Sequence, residues 1–333
     1  MPFSQWLKNC FPNAIIQVKQ MLPHMAKFKF KHLPKIFVEA AKKWMAADPF
    51  RESAIISYYA IFSIPGLLII IIWAAGFFFG EELVRGEVND QIAAIVGGEA
   101  AESVEEIVQE SEVEDSAWFM KIVGVVALLI GATTLFFQLQ KSLNYLWDVE
   151  ADPDNNLKKL LLDRASSLGL ILVIAFLLLI SLILSSIIAS ISNFITRNFG
   201  EGMYVLIEGV NLLLGVGIVT LLFAMMFKFL PDVEIKWRSV WIGALVTSIL
   251  FALGRLLLGL YFGIADPGSS FGAAGTIILI MLWVNYTCLI LFFGAEFTKV
   301  FAQRYGHPIQ PSQHAKWRAG HEPESNERAE PIS

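Results

Sequence analysis

The pattern of apolar and polar positions is the strongest feature of this sequence, and it is clearest near the C-terminal end. Residues 272–297 are apolar almost throughout. At about 1.5 Å per residue, a helix of this length crosses a hydrocarbon core of about 30 Å. Two polar residues, Asn285 and Glu296, interrupt the segment. Eleven positions separate them, which places them within roughly 20° of the same helix face. The pattern predicts a membrane helix with one polar line.

Five further segments share this apolar character, and each is long enough to cross a bilayer. They cover residues 54–80, 117–138, 165–195, 203–230 and 239–264. Together with 272–297 they predict an all-α integral membrane protein, with six transmembrane helices within residues 54–298. The first segment contains Pro65, which predicts a bend because proline removes a helix hydrogen bond. Glycines four positions apart, at 76 and 80 and at 259 and 263, predict close helix contacts.

The N-terminal region is basic, with nine lysine and arginine residues in positions 1–53. Between Pro34 and Ala47, apolar residues recur at helical spacing with lysines between them, which predicts a basic amphipathic helix. Such a helix either lies on an anionic membrane surface or packs on the loops of its own protein. The sequence favours neither arrangement. Asp48 and Pro49 then predict an N-cap followed by a first helical position.

Residues 81–116 carry the opposite charge, with twelve acidic residues and one basic residue, Arg85. Apolar residues at helical spacing on both sides of Gly97 and Gly98 predict two short amphipathic helices, which are too polar to cross a membrane. An acidic patch can bind a metal ion. A solvated extracytoplasmic helical cap is the more common reason for such a charge run, and it is the structure that we predict.

The distribution of lysine and arginine predicts the orientation of the chain. With both termini in the cytoplasm, 21 of the 25 basic residues lie on the cytoplasmic side and three on the outer side, with Arg255 inside the membrane. Cytoplasmic loops carry an excess of basic residues, so we predict cytoplasmic termini and an outer acidic loop. Residues 299–333 are polar and rich in proline, glutamate and histidine, which predicts a disordered cytoplasmic tail.

The composition and the motif inventory argue against an enzyme. Charged residues make up 17% of the chain, against about 25% in soluble domains. All five histidines lie in the terminal segments, whereas a metal or catalytic site needs clustered ligands. The sequence has neither a GxxxxGK[ST] phosphate loop nor a GxSxG motif. We therefore predict no catalytic activity, no cofactor, no metal and no nucleic-acid partner. Anionic lipids explain the basic N-terminal region better than a nucleic acid does.

A family resemblance rests on the order and spacing of several short motifs. These motifs are Ser57-Tyr58-Tyr59, Ser63-Ile64-Pro65, Leu143-Asn144-Tyr145-Leu146-Trp147, Phe227-Lys228-Phe229-Leu230-Pro231-Asp232, Trp237-Arg238, Gly243-Ala244, Leu282-Trp283-Val284-Asn285-Tyr286 and Phe293-Gly294-Ala295-Glu296. Together they resemble the YihY/BrkB family of bacterial inner-membrane proteins, once named after a ribonuclease, over about residues 35–305. The resemblance implies a six-helix protein of the bacterial cytoplasmic (inner) membrane. Export of a solute or lipid and envelope maintenance are the activities it suggests.

Four polar residues within the apolar segments are the candidate substrate-route residues: Arg255, Glu208, Asn211 and Asn285. Counted from the outer helix ends at about 1.5 Å per residue, they form a predicted cluster in the outer half of the membrane. Arg255 would offer a cation to an anionic headgroup or carboxylate. The alternative is that these groups pair with one another and fix helix packing. We favour the route for Arg255 and packing for Asn285.

Glu296 lies about 22 Å further toward the cytoplasm than Arg255, too far for a direct pair. Lys228 and Arg51, near the inner face, are its predicted partners. Glu296 is predicted either to act as an inner gate or to pin the helix end to the cytoplasmic loops.

Two functions fit these residues. The first is a conduit for export or translocation of a small solute or lipid through an intramembrane polar cavity. The second is a non-transporting membrane anchor or partner in an envelope-maintenance complex, which would contact an envelope protein through the acidic outer cap. A polar cavity that reaches both faces favours the first function, and a tightly packed bundle favours the second. The sequence indicates neither the substrate nor the oligomeric state.

Overall fold

The computed structural model describes residues 32–96, 105, 118–151, 169, 204–265, 275–305, 308–312 and 315–320. Within these residues the protein is mostly helical. The helices are α1 Leu33–Ala46, α2 Pro49–Phe79, α3 Glu81–Val96, α4 Trp118–Leu146, α5 Tyr204–Phe229, α6 Trp237–Ala265 and α7 Gly275–Tyr305. Four short strands, β1 Val149–Ala151, β2 Val233–Glu234, β3 Gln310–Pro311 and β4 Ala315–Trp317, complete the described elements.

Two described helices contain a segment that is long and apolar enough to cross a membrane, Trp237–Tyr261 in α6 and Ile277–Tyr305 in α7. A third candidate is α2, whose axis bends by 53° between Pro49–Ile64 and Gly66–Ile72. The bend lies at Pro65 and confirms the predicted break, because proline cannot donate the helix hydrogen bond there. The predicted span at 165–195 lies outside the described residues, apart from residue 169.

The longer helices pack side by side, and α6 and α7 run antiparallel, since Gly243 lies against Thr298 and Gly254 against Tyr286. α2 lies between α4 and α7, and α6 lies between α5 and α7. The main apolar core contains large side chains of α4, α5 and α7 and of the residue that follows α4. Trp147 after α4, Phe227 of α5 and Phe292 of α7 are fully buried in it. This core brings the ends of these helices together with the β1 and β2 segments.

The corner between α1 and α2 is formed by Asp48. Its φ of 48° lies in the left-handed region, which Asp tolerates better than most residues. Pro49 begins α2, as the sequence predicted, but the Asp48 side chain makes no capping hydrogen bond. The backbone N–H groups of Arg51 and Glu52 instead donate to the Asp48 carbonyl oxygen, at 3.1 and 3.3 Å. The residue shapes the corner through its backbone.

α1 packs on the C-terminal part of α7. Ile36 and Ala40 are fully buried against a cluster that includes Phe297 and Phe301. His32, just before α1, is within hydrogen-bond distance of the Tyr305 hydroxyl, at 2.7 Å. The sequence left two arrangements open for this helix. The structure shows that one face of α1 packs on its own protein, where it contacts a helix rather than loops.

α6 and α7 approach each other closely at glycines. A Cβ atom at Gly243 would lie 1.8 Å from Thr298 Oγ1, and one at Gly294 would lie 1.8 Å from Thr247 Oγ1. Among the glycines whose spacing predicted close contacts, Gly76 does approach α3, since an added Cβ would lie 3.1 Å from Glu81 Cα. The prediction is wrong at Gly259, where an added Cβ would meet nothing within 4 Å. A pair of glycines permits another helix to pack closely, but the pair alone does not show that a helix packs there.

α3 corresponds to the first of the two short helices predicted in the acidic segment. Val84 is buried against Ile72 of α2. Arg85 lies 3.0 Å from carboxylate oxygens of both Glu81 and Glu105, so the one basic residue of this segment compensates part of its negative charge. Apart from residue 105, the remainder of the predicted cap lies outside the described residues.

The prediction of a disordered tail from residue 299 is wrong for the described part of that segment. α7 continues to Tyr305, β3 pairs with β2, and β4 pairs with β1. Ile309 is only 5% exposed and belongs to the main core. Ile309, backbone hydrogen bonds and side-chain contacts of Lys316, Trp317 and Arg318 hold this segment. Such contacts with distant residues leave no periodic sequence pattern. Residues 321–333 lie outside the described residues.

Candidate functional site

Arg255, the leading candidate from the sequence, is exposed on α6. Three leucines around it, Leu253, Leu256 and Leu257, are also exposed. Among the residues that the structure describes, none forms a hydrogen bond or ion pair with Arg255. A guanidinium group in hydrocarbon is costly, so Arg255 requires water, a lipid headgroup or a protein group around it.

Asn285 does not contact Arg255 in the described structure. Its side-chain amide donates to Ser53 Oγ of α2 at 3.1 Å, in a partly buried position. Of the predicted four-residue cluster, one member therefore faces α2 and one is exposed on α6. The side chains of Glu208 and Asn211 lie outside the described part of the protein.

A buried carboxylate that the sequence did not single out lies beside Ser53. Glu52 is 7% exposed, and its side chain accepts hydrogen bonds from Ser142 Oγ at 2.7 Å and from Arg51 at 3.0 Å. Glu52 is in the first turn of α2, where the helix dipole favours negative charge. The sequence signal that could have identified Glu52 is the position of a carboxylate next to an apolar segment. The contact with Ser142 spans 90 positions, and no local pattern predicts it.

Tyr145 connects this group to the C-terminal segment. The Arg51 guanidinium lies 5.5 Å from the centre of its ring, and the Arg318 guanidinium lies 4.5 Å from it. The Arg318 backbone N–H donates to the Asp148 carbonyl oxygen at 2.9 Å. Cation–π contacts therefore join the start of α2, the end of α4 and the segment after β4.

Asn144 joins the end of α4 to the turn between α5 and α6. Its amide group donates to Asp232 Oδ2 at 2.8 Å, and its carbonyl oxygen accepts the Asp232 backbone N–H at 2.8 Å. Three residues along, the Trp147 indole donates to the Ala295 carbonyl oxygen of α7 at 3.1 Å. These hydrogen bonds join the end of α4 to the turn between α5 and α6 and to α7.

Glu296 is 1% exposed on α7. Its Oε1 lies 3.8 Å from Lys299 Nζ, and its Oε2 has no hydrogen-bond partner among the described residues. Lys299 also donates to Asp148 Oδ2 at 2.8 Å and to the Leu146 carbonyl oxygen at 2.7 Å. Buried Glu296 and partly buried Lys299 thus form a group with the end of α4 and with Asp148, which follows it.

The predicted partners of Glu296 are wrong. Lys228 Nζ donates to the Ile235 carbonyl oxygen at 2.6 Å, and Arg51 pairs with Glu52. Lys299 takes this place because residues three apart share a helix face. In the described part of the chain, no group of three or more His, Cys, Asp or Glu side chains is arranged to bind a metal ion.

A family model described as "Virulence factor BrkB" matches residues 40–319, which is most of the chain. The chain belongs to this family. The match confirms the resemblance to the YihY/BrkB family that was predicted from the motifs.

Relatives of this BrkB-family chain are named as membrane proteins. The UPF0761 membrane protein of Pasteurella multocida is 25% identical over 232 residues, which are 66% of this chain and 67% of that protein. The one of Aeromonas salmonicida is 28% identical over 56% of this chain and 61% of its own length. The one of Verminephrobacter eiseniae is 26% identical over 53% of this chain, but this match spans only 40% of that relative's length. No solved structure matches the chain.

The BrkB-family chain is therefore a membrane protein, since its relatives are named so and α6 and α7 are long and apolar enough to cross a bilayer. Three of the motifs that carried the resemblance also meet in space. Asn144 contacts Asp232, and Trp147 contacts Ala295 next to Glu296. The motifs thus build the polar end of the described bundle, and Arg255 lies outside them.

Proposed function

We propose that this BrkB-family protein is a six-helix protein of the bacterial cytoplasmic membrane with both termini in the cytoplasm. We further propose that it provides a route across that membrane for an anionic lipid or small amphiphilic solute. Support for the architecture comes from five long helices whose bounds overlap five of the six apolar segments. The strong excess of basic residues in the predicted cytoplasmic segments supports the orientation.

The observation that carries the proposed route is the exposure of Arg255 among exposed leucines on α6. A negatively charged headgroup would satisfy the guanidinium with paired hydrogen bonds. Acyl chains would lie against the neighbouring leucines. The sequence suggested an enclosed cavity between Arg255 and Asn285, but Asn285 contacts α2. The proposed route therefore follows a face of α6 that is open to the bilayer. We assign the protein no catalytic reaction and no cofactor.

Reconstitution of the full chain tests this proposal. Purified protein in phosphatidylcholine vesicles containing phosphatidylglycerol should accelerate the exchange of fluorescent phosphatidylglycerol between the leaflets. We expect Arg255→Gln to lower this rate by about tenfold or more, since a hydrogen bond to a charged group contributes roughly 1.5–3 kcal/mol. Arg255→Lys should keep part of the rate. Arg238→Gln, at an exposed position near the start of α6, is the matched control and should leave it unchanged.

A rate equal to that of the parent protein in folded Arg255→Gln would contradict the route. If the parent protein itself accelerates no exchange, the second candidate function applies, a non-transporting anchor or partner in an envelope complex. The closely packed α6–α7 contact and the hydrogen-bonded end of the bundle favour this candidate. It predicts no exchange of lipid and no flux of small anions in any variant.

A further inference from the structure

α1 has two faces with different surroundings. One face is buried against α7. On the opposite side, Val38 and Met45 are 57% and 56% exposed, and Lys35 and Lys42 are exposed on the same side. Single exposed apolar residues are normal on protein surfaces. A helix that presents large apolar side chains together with lysines on one exposed face is typical of helices that lie in a membrane surface.

The contacts between α1 and α7 define how α1 is oriented along α7. Phe37 and Trp44 form an aromatic edge of α1, and their ring centres lie 5.3 and 6.0 Å from that of Phe293. Glu39 forms the acidic edge and pairs with Arg304. Arg304 lies eleven residues after Phe293, about 16 Å further along the helix. The aromatic edge therefore lies toward the middle of α7 and the acidic edge toward its C-terminal end.

The order of side chains around α1 follows the same direction. At about 100° per residue, Val38 and Met45 come next after the aromatic edge, and Lys35 and Lys42 lie about 60° further round, before the acidic edge. Around the exposed half of α1, the sequence is thus apolar, then cationic, then acidic and ion-paired. A membrane surface has the matching layers of acyl chains, lipid phosphates and water.

We propose that the exposed face of α1, formed by Val38, Met45, Lys35 and Lys42, binds the anionic surface of the cytoplasmic leaflet. The two apolar side chains enter the acyl region, and the two lysines lie at lipid phosphates. Charge supports this occupant, because residues 1–53 contain nine basic and three acidic residues. The inference rests on the cytoplasmic orientation in the proposed function, and it does not require transport.

A fluorescent probe at position 45 tests this contact in the full chain. The chain carries Cys10→Ser and Cys288→Ala, and Met45→Cys is labelled with an environment-sensitive dye and reconstituted in nanodiscs. In nanodiscs with phosphatidylglycerol, we expect emission at shorter wavelength and quenching by brominated lipid. Ala46→Cys is the matched control, because the next residue points about 100° further toward the acidic edge. The probe there should be quenched by aqueous iodide and not by brominated lipid.

Charge reversal tests the role of the two lysines. Lys35→Glu with Lys42→Glu should abolish lipid quenching at position 45. Lys43→Gln is the control, since Lys43 is occupied by a hydrogen bond to Gln303, and it should leave the quenching unchanged. Nanodiscs of phosphatidylcholine alone should give weaker quenching than anionic ones.

Two results would overturn the proposal. One is equal iodide quenching at positions 45 and 46 with no effect of brominated lipid, which would mean that the face lies in water. The other is shielding from both quenchers together with cross-linking between copies, which would assign the face to a second copy of the chain. No step of this assay measures transport, so a protein that moves no lipid still gives the expected result.

Discussion

Single residues set the distance between α6 and α7. Gly243 and Gly294 provide no side chain, and the space is taken by Thr298 and Thr247 of the facing helix. Each threonine hydroxyl donates at 2.7 Å to the carbonyl oxygen of the glycine four residues before it. The hydroxyl groups are therefore satisfied within their own helices, as an apolar environment requires. Small residues and internally bonded hydroxyls together permit a close helix contact.

We expect Gly243→Ala to destabilise the protein by about 1–3 kcal/mol, because its methyl group would overlap Thr298, which is fully buried. Thermal unfolding of purified protein in detergent measures this loss. Gly259→Ala is the matched control, since an added Cβ meets nothing within 4 Å there. It should leave the unfolding temperature unchanged or slightly raised, because alanine favours a helix. Equal unfolding temperatures for the two variants would contradict the close contact.

The pair of Asn144 and Asp232 makes a sharper prediction at the residue scale. Asn144→Asp should destabilise the protein by about 2–3 kcal/mol, because it replaces a donor to the Asp232 carboxylate with a second carboxylate. The double exchange of Asn144→Asp with Asp232→Asn should recover most of the loss, since an amide again faces a carboxylate. Thermal unfolding of the two single variants and the double variant forms a mutant cycle. Losses that simply add in the double variant would exclude direct pairing.

At the scale of elements, the C-terminal segment differs most from what its sequence predicts. The segment contains few apolar residues, and disorder is the ordinary expectation for such a composition. Its order comes from pairing with β1 and β2, whose residues lie about 165 and about 77 positions before their partners in the chain. The bounds of α1, α5 and α6 are close to the predicted ones, because length and apolar content define them locally. The sequence therefore predicts elements with local causes and misses those held by distant partners.

Ile309 tests whether this segment contributes to the fold. Ile309→Ala should lower stability by about 2–4 kcal/mol, because it removes a side chain that is 5% exposed and leaves a cavity. Gln310→Ala, at an exposed position in the next residue, is the control. Thermal unfolding in detergent measures both variants. If Ile309→Ala behaves like Gln310→Ala, the segment adds no stability and the order of β3 and β4 is not required for the fold.

At the scale of the whole molecule, the sequence predicts where the helices are better than it predicts which face of each helix packs against its neighbours. α6 is apolar on all sides, so its sequence does not indicate which side faces α7. Arg255 shows the consequence, since it is exposed whereas the adjacent Gly254 lies against the Tyr286 hydroxyl of α7. Candidate residues could be found from their polarity within apolar segments. Which candidates lie together depends on the positions of the neighbouring helices, which the sequence does not show. For this reason the predicted grouping of Asn285 with Arg255 is absent among the described residues.

The proposed topology makes a prediction that depends on the total number of spans. With six spans, position 81 before the acidic segment lies outside the cell, and position 310 in β3 lies inside. In a chain with Cys10→Ser and Cys288→Ala, a membrane-impermeant maleimide should label Glu81→Cys in intact cells. It should label Gln310→Cys only after the inner membrane is permeabilised, and Lys35→Cys in α1 should behave in the same way. An odd number of spans places positions 35 and 310 on opposite sides of the membrane. Labelling of one of them in intact cells would therefore refute the six-helix arrangement, because every added or lost span reverses the side on which the C-terminal segment lies.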